Sequence, residues 1–272
     1  MIYIISAVFL VLVLTTMVFI LINSLSGEDE QRQNFYEMQY PSLNVLLIID
    51  SELESQLDNV MLMRLDVEND EIIVTALDVD WATTVGGRGA SLAEHYAYGT
   101  EMVLKAAIGE ILNIEIDRYA IIGRQIFATM VDNFGGVVFD VTQNLEIDVP
   151  NGLPIIIDGG VATLAGMQAF SVLSFDDWDD ASSLEVQEEL LAAIINTRLS
   201  ERNLSRSSVN FNAFINNVGS DISAMDGVRY LQFLENFKEN EGEVRTFTLE
   251  IEDGAIISRN LRDFRAIFAP ED

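Results

Sequence analysis

The sequence predicts an α/β protein: a single α-β-α layered domain with a mixed central sheet, preceded by one N-terminal transmembrane helix. Short apolar runs typical of buried strands alternate with longer segments whose apolar residues recur at helical spacing. Turn signals between neighbouring apolar runs add antiparallel hairpins to this alternation, which is why the sheet is expected to be mixed. No linker rich in Pro, Gly or Ser divides residues 43–268, so one domain is expected there.

The transmembrane helix is predicted from the N-terminal residues. Residues 1–27 carry no charged side chain, and residues 2–22 are almost wholly apolar. At about 1.5 Å per residue, a helix of that length spans roughly 32 Å, enough to cross a bilayer core. The apolar run is long for a signal peptide and lacks a basic start. We therefore expect an uncleaved signal anchor at 1–23, a polar stalk at 24–42, and an extracellular domain held at the cell membrane by this single pass.

The first half of the domain is predicted from apolar runs and turns. The run Asn44–Ile49 ends at Asp50 and is typical of a buried strand. The runs 59–65 and 71–77 flank a turn-like segment and predict a hairpin. The elements expected next are a glycine-rich loop at 84–91, a helix at 100–113, a strand at 119–122, a helix at 125–133 ending near two glycines, and a strand at 137–141.

The second half is predicted in the same way. Pro150-Asn151-Gly152 favours a hairpin between 144–149 and 153–157. Helices are expected at 164–173, at 183–199 with Ser183 as its N-cap, at 211–218 and at 225–237. Asp253-Gly254 favours a closing hairpin between 245–251 and 255–258.

Composition excludes several classes of function. The formal net charge of −29 and the isoelectric point near 4.1 argue against nucleic-acid binding, which needs clustered basic residues. The chain has no cysteine and one histidine, His95, so it has no disulfide, cysteine–zinc site or histidine-rich metal site. No Gly-x-Ser-x-Gly motif is present, which argues against a serine hydrolase.

Several blocks of sequence resemble one known family. They are Asp58–Met63 (DNVMLM), Tyr96–Gly99 (YAYG), Val131–Val141 (VDNFGGVVFDV) and Leu164–Phe170 (LAGMQAF). In this order and spacing they resemble the LytR-CpsA-Psr family, over roughly residues 43–235. The resemblance implies a membrane-anchored protein of the bacterial envelope. Members transfer a glycopolymer from a polyprenyl-pyrophosphate carrier to peptidoglycan or another acceptor.

The resemblance also implies a site. The family's two Mg²⁺-binding aspartates match Asp50 and Asp58, and a further family aspartate matches Asp80, for which a role in assisting a base or orienting substrate is expected. Carboxylate oxygens are hard ligands that suit Mg²⁺, which completes its shell with phosphate oxygens and water. An aspartate at the end of a strand can also cap a turn, so this alternative stays open for Asp50.

The family's arginines are missing from the positions that match them. Those positions hold Glu52, Val79, Ser174, Asp176, Ser183 and Val186, and no lysine or arginine occurs from Gln125 to Thr197. A charge-assisted contact between arginine and phosphate contributes about 1.5–3 kcal/mol, so losing several would weaken pyrophosphate binding and transfer. The family's glutamine is retained as Gln187, which is expected to contact the ligand. Arg88 and Arg124 are the first candidates to replace the lost contacts, and the alternative that both are ordinary surface arginines stays open.

Three hypotheses follow for function. The first is a ligand-binding or scaffolding protein of cell-wall glycopolymer assembly with degenerate catalysis, whose partner is a polyprenyl-linked glycopolymer or cell-wall glycan. The second is an active, divergent phosphotransferase that uses Mg²⁺ on Asp50 and Asp58. The third is an envelope-linked attenuator of transcription that acts indirectly, since no contact with nucleic acid is expected.

Overall fold

The computed structural model describes residues 41–50, 57–148, 153–178, 182–199, 218–252 and 255–269. The predicted anchor at 1–23, most of the stalk at 24–42 and all but the last residue of the predicted helix at 211–218 lie outside these ranges. Among the described residues, no helix combines the length and the apolarity needed to cross a membrane.

The central sheet is mixed, as predicted. Its strands are β1 (Leu43–Asp50), β2 (Leu57–Asp66), β3 (Glu71–Leu77), β6 (Arg118–Gly123), β11 (Gly219–Ser220) and β12 (Arg245–Thr246). In the described part of the chain these six lie in the order β11-β6-β1-β2-β3-β12. β1 pairs antiparallel with β2 and parallel with β6, while β3 pairs antiparallel with β2 and parallel with β12. β1 therefore lies in the middle of the sheet.

Helices and small ribbons complete the described fold. The helices are α1 (Leu92–Leu112), α2 (Arg124–Phe134), α3 (Gly166–Leu173), α4 (Ser183–Arg198), α5 (Ala224–Glu239) and α6 (Ser258–Phe268). The strands of the ribbons are β4 (Ala82–Val85), β5 (Arg88–Ser91), β7 (Val137–Val141), β8 (Leu145–Ile147), β9 (Ile155–Ile157), β10 (Gly160–Leu164), β13 (Ile251–Glu252) and β14 (Ala255–Ile256). The antiparallel ribbons are β4–β5, β7–β10, β8–β9 and β13–β14.

A separate core lies on each face of the central sheet. Leu47 and Ile49 of β1 enter the core that they share with residues of α2, α3, α4 and α5. Leu46 and Ile48, which alternate with them, enter the core that they share with α1 and α6. Because successive side chains of a strand point to opposite faces, β1 is apolar on both sides and is buried between two helical layers. The α-β-α layering expected from the sequence follows.

A buried polar cluster fixes the end of the sheet where β1 begins. The Arg64 guanidinium donates to Asn44 Oδ1 at 3.1 Å and to Asp66 Oδ2 at 3.3 Å. The Asn44 side-chain amide donates to the Phe268 carbonyl at 2.8 Å. The cluster ties the last residue of α6 to β1 and β2, and its charges are paired, as buried charges must be to avoid a large desolvation penalty.

The structure corrects several sequence-based boundaries. The predicted glycine-rich loop at 84–91 belongs to the β4–β5 hairpin, whose turn residues Gly86 and Gly87 both have positive φ, as type I′ turns require. The helix predicted at 100–113 begins at Leu92 and is broken at Gly99 and Thr100. The N-cap of α4 is Ser182, whose hydroxyl accepts from the Glu185 amide, and the predicted N-cap Ser183 is wrong by one residue. The strand β10 and the helix α6 were not expected.

Glu188 of α4 bonds to the edge of the sheet where β12 stops. Its side chain is 1% exposed, and it accepts from the Ala76 amide at 2.9 Å and from the Thr248 hydroxyl at 2.5 Å. β12 pairs with β3 only as far as Val74, so the carboxyl takes the place of the missing neighbour strand. Burial raises the pKa of Glu188 to about 7, although the hydrogen bonds from Thr248 and Ala76 act in the opposite direction.

The close contact between α2 and α3 gives the first prediction. A Cβ on Gly166 would lie 1.9 Å from the Ala128 carbonyl oxygen, which is backbone and cannot rotate away. Gly166→Ala should therefore lower the free energy of unfolding by about 1–3 kcal/mol or more, measured by urea denaturation. The control is Gly89→Ala, whose added Cβ would meet Thr84 Oγ1 at an ordinary 3.7 Å. Equal stability of the two variants would contradict the proposed clash.

The second prediction follows from the raised pKa of Glu188. Since the pKa of Glu188 in the folded state lies above its ordinary value of 4.5, the stabilisation linked to this group is fully present below pH 4.5. It is lost as the pH rises through about 7. The loss amounts to roughly 3 kcal/mol. Glu188→Gln should flatten the fall in the free energy of unfolding between pH 5 and pH 8. The exposed neighbour change Glu189→Gln should leave that fall unchanged, and a parent-like pH profile in Glu188→Gln would refute the assignment.

Candidate functional site

A β-bulge joins the two aspartates that the sequence singled out. Ile49 of β1 pairs with Asn59 of β2, yet the next residue, Asp50, pairs with Leu57. Asp58 is thus the extra residue of the bulge, and bulges commonly redirect a side chain near a functional site. Asp50 ends β1 and Asp58 lies diagonally across from it on the neighbouring strand. The structure therefore brings the two predicted metal ligands together.

Tyr96 holds the carboxylate of Asp50. The Tyr96 hydroxyl donates to Asp50 Oδ2 at 3.0 Å. Burial raises the pKa of Tyr96, and its hydrogen bond to Asp50 raises it further, so the phenol remains a donor at neutral pH. Tyr96 is positioned by the first turn of α1, where the Ser91 hydroxyl accepts from the Glu94 amide at 3.2 Å. This function for the YAYG motif was not anticipated from the sequence.

Asp58 has a carboxyl whose pKa lies above its ordinary range. Burial raises its pKa to about 6, the charge of Arg124 acts to lower the pKa, and the charge of Asp50 raises it. Asp58 Oδ2 is buried and has no hydrogen-bond partner among the described residues. Such an oxygen is poorly solvated and is available to a cation or a proton.

The donor set fits Mg²⁺ only in part. Asp50 and Asp58 supply hard carboxylate oxygens, and the orphaned Oδ2 of Asp58 is a suitable ligand atom. Within the described ranges, no cluster of three or more His, Cys, Asp or Glu side chains could hold a metal. Mg²⁺ at this position would take its remaining ligands from phosphate oxygens and water, as it does in many phosphate-binding proteins.

Arg124, one of the two predicted replacement arginines, starts the helix next to the end of β1. It is the first residue of α2 and directly follows Gly123, which pairs with Asp50 in the parallel β1–β6 ladder. Its guanidinium carbon lies 5.3 Å from the centre of the Phe170 ring, and its Nε is buried. The charge of Arg124 acts to lower the pKa of Asp58.

The other predicted site residues lie elsewhere or remain predictions. Arg88 lies at the start of β5, where its guanidinium is stacked 3.9 Å from the centre of the Tyr98 ring. Asp80 is exposed on the turn after β3, where its amide donates to Asp78 Oδ1. Gln187 is half-buried on α4. Glu52 lies outside the described residues.

A cavity of about 430 Å³ lies near the N-terminal half of α4. It is lined by Phe139, Asp140, Thr142, Trp178, Glu185, Val186, Glu188, Glu189, Thr246 and Thr248. Its carboxylates would repel a phosphate, and no arginine or lysine is among the lining residues. The cavity is therefore unsuited to a phosphorylated ligand, whereas Arg124 starts α2 next to the end of β1 at Asp50.

Comparison with solved structures places the fold among known proteins. B. subtilis TagV is 17% identical in sequence with a TM-score of 0.66, and the match covers 84% of this chain and 96% of TagV. Protein gbs0355 from Streptococcus agalactiae is 16% identical with a TM-score of 0.70, and the match covers 85% of this chain and 89% of gbs0355. TagT, solved bound to LIIa-WTA, is 17% identical with a TM-score of 0.61, and the match covers 83% of this chain and 88% of TagT. At these identities the likeness concerns the fold.

The family is shown by the sequence itself. No curated protein matches the chain. The LytR_cpsA_psr family matches residues 21–264, which include every element described above except the end of α6. The resemblance stated from the motif blocks is confirmed, and the chain belongs to the LytR_cpsA_psr family.

Proposed function

We propose that this protein binds a polyprenyl-linked glycopolymer during assembly of the bacterial cell wall, through a Mg²⁺-dependent pyrophosphate site at Asp50 and Asp58. Family membership and the likeness to TagT bound to LIIa-WTA support the class of ligand. The observation that carries the proposal is the position of Arg124, which starts α2 directly after Gly123, the residue that pairs with Asp50. The proposed setting is the outer face of the cell membrane, with residues 1–23 as the anchor.

The charges of the site favour an anion only when Mg²⁺ is present. Two ionised aspartates at neutral pH would repel a pyrophosphate, and Arg124 alone does not balance them. Bound Mg²⁺ would offset the two negative charges of the carboxylates and so remove their repulsion of the phosphate oxygens. Arg124 then supplies the remaining positive charge that faces the ligand. The hydrogen bond from Tyr96 keeps the Asp50 carboxylate oriented toward this site.

A second candidate is transfer of the glycopolymer to an acceptor, which the position of Arg124 also favours. Phosphoryl transfer depends chiefly on stabilising negative charge as it develops. One arginine stabilises the developing negative charge less than the several arginines implied by the family positions. The second candidate is therefore a slow transferase. Asp80, on its exposed turn, is the residue proposed to assist a base or to orient the acceptor.

The third prediction tests the ligand site directly. Purified full-length protein should bind a short-chain prenyl pyrophosphate in excess Mg²⁺, measured by calorimetric titration, and lose that binding when Mg²⁺ is chelated. Asp50→Ala/Asp58→Ala should weaken binding by about tenfold or more, because it removes both carboxylate ligands of the ion.

The matched control removes two aspartates elsewhere. Asp140→Ala/Asp148→Ala deletes the same charge from β7 and from the segment after β8, and it should keep parent-like affinity. Binding that persists without Mg²⁺, or that survives loss of Asp50 and Asp58, would exclude the proposed site. A transfer assay with lipid-linked glycopolymer then separates the binding protein from the slow transferase.

A further inference from the structure

Asn59 is a buried amide without a partner. Its residue exposure is 1%, and neither Oδ1 nor Nδ2 has a hydrogen-bond partner anywhere in the described part of the chain. A buried amide that loses its bonds to water without gaining others destabilises the fold. Native proteins seldom keep such a group unless a water, an ion or a ligand completes it. Asn59 therefore indicates a partner that the protein chain does not supply.

The sheet register shows which way Asn59 faces. Asn59 pairs with Ile49, and Ile49 pairs in turn with Ile122 of β6. Side chains alternate along β2, so Asn59 lies on the same side as Met61, which belongs to the core shared with α2 and α3. In the next row of the sheet, Asp50 pairs with Gly123, and Arg124 follows immediately as the first residue of α2.

Asn59 and Arg124 therefore lie on either side of β1. Adjacent strands are about 4.8 Å apart, so β2 and β6 are separated by roughly 10 Å. Both residues lie toward the same core, because Asn59 pairs with Ile49 and the Arg124 guanidinium lies near Phe170, and Ile49 and Phe170 belong to that core. The Arg124 guanidinium packs near the Phe170 ring and its Nε has no hydrogen-bond partner in the described ranges. A cationic donor and an amide donor thus lie on the same face of the sheet, on either side of β1, and both have unused donor capacity.

The start of α2 adds further donors on the same side. Its N-cap is Gly123, which has no side chain to bond the first amides of the helix. The first amides of any helix have no hydrogen-bond partner within the helix, and the positive end of the helix dipole lies at the same terminus. An oxyanion is the kind of ligand that such a helix start accepts when a neighbouring polar group also lacks a partner.

We infer that Asn59 and Arg124, together with the first turn of α2, form an oxyanion subsite that binds one phosphoryl group and selects phosphorylated ligands. This inference rests on the proposed function, to which it adds a recognition residue, Asn59. Arg124 donates charge-assisted hydrogen bonds, and the Asn59 amide donates one neutral bond from the opposite side. Neither residue occupies a position that matches one of the family's arginines, so the subsite replaces them with different side chains.

The experiment uses variants for which stability and binding change in opposite directions. Asn59→Leu keeps the shape of the side chain and removes both unpaired polar atoms. If Asn59 serves to bind a ligand, the variant should unfold at the same temperature as the parent or at a higher one. In excess Mg²⁺ it should bind inorganic pyrophosphate about tenfold more weakly, as should Arg124→Gln, each measured on the full-length protein.

Controls and outcomes separate this inference from the proposed function. Met63→Leu, a change in the same strand and the same core, should keep parent-like affinity. Asn59→Leu would overturn the inference if it unfolded at a lower temperature and still bound pyrophosphate with the affinity of the parent. That result would mean that Asn59 has a structural role. Parent-like affinity in Arg124→Gln would overturn it even if Asn59→Leu failed to fold.

The two ligands distinguish the two failures. Mg²⁺-dependent binding of prenyl pyrophosphate that is unaffected by either variant would leave the proposed function standing and remove the subsite. Failure of the parent to bind inorganic pyrophosphate would also remove the subsite. Failure of the parent to bind prenyl pyrophosphate is the separate result that rejects the proposed function.

Discussion

The pairing of β1 on both edges is the constraint on which the site depends. β1 is antiparallel to β2 on one side and parallel to β6 on the other, and both of its faces are buried in apolar cores. A shift of one residue in either ladder would exchange the side chains between the two cores, so the register is strongly specified. The same register determines that Asp50 ends its strand beside Gly123 and that Asp58 becomes the extra residue of a bulge.

The sequence predicted the elements whose pattern is local. The apolar runs of β1, β2 and β3 and the turn between the last two are visible in consecutive residues, and so is the helix that Gly135 caps. β10 was missed because its sequence, GVATL, has no strict alternation, and α6 was missed because a hairpin was assigned to the residues before it. Phe264 and Phe268 of α6 are buried, but their four-residue spacing alone is a weak signal.

Only part of the candidate site could be predicted from the sequence. Asp50 and Asp58 were recognised because they match family positions. The bond from Tyr96 to Asp50 joins residues far apart in the chain and depends on how α1 packs on the sheet. Arg124 was one of two candidate arginines, and nothing in the composition separates it from Arg88. The distinction arises from the fold, which stacks Arg88 on Tyr98 and starts α2 beside the carboxylates.

Glu188 also bears on how copies of this protein behave toward one another. β12 covers only a short part of β3, and a strand edge with free amides is a template for pairing with another chain. The Glu188 carboxyl occupies the Ala76 amide on that edge, and the net charge of −29 keeps molecules apart at neutral pH. Acidification toward the isoelectric point near 4.1 removes the repulsion between molecules. In mild acid, the Glu188 carboxyl still bonds the Ala76 amide and so contributes to keeping this edge from pairing with another chain.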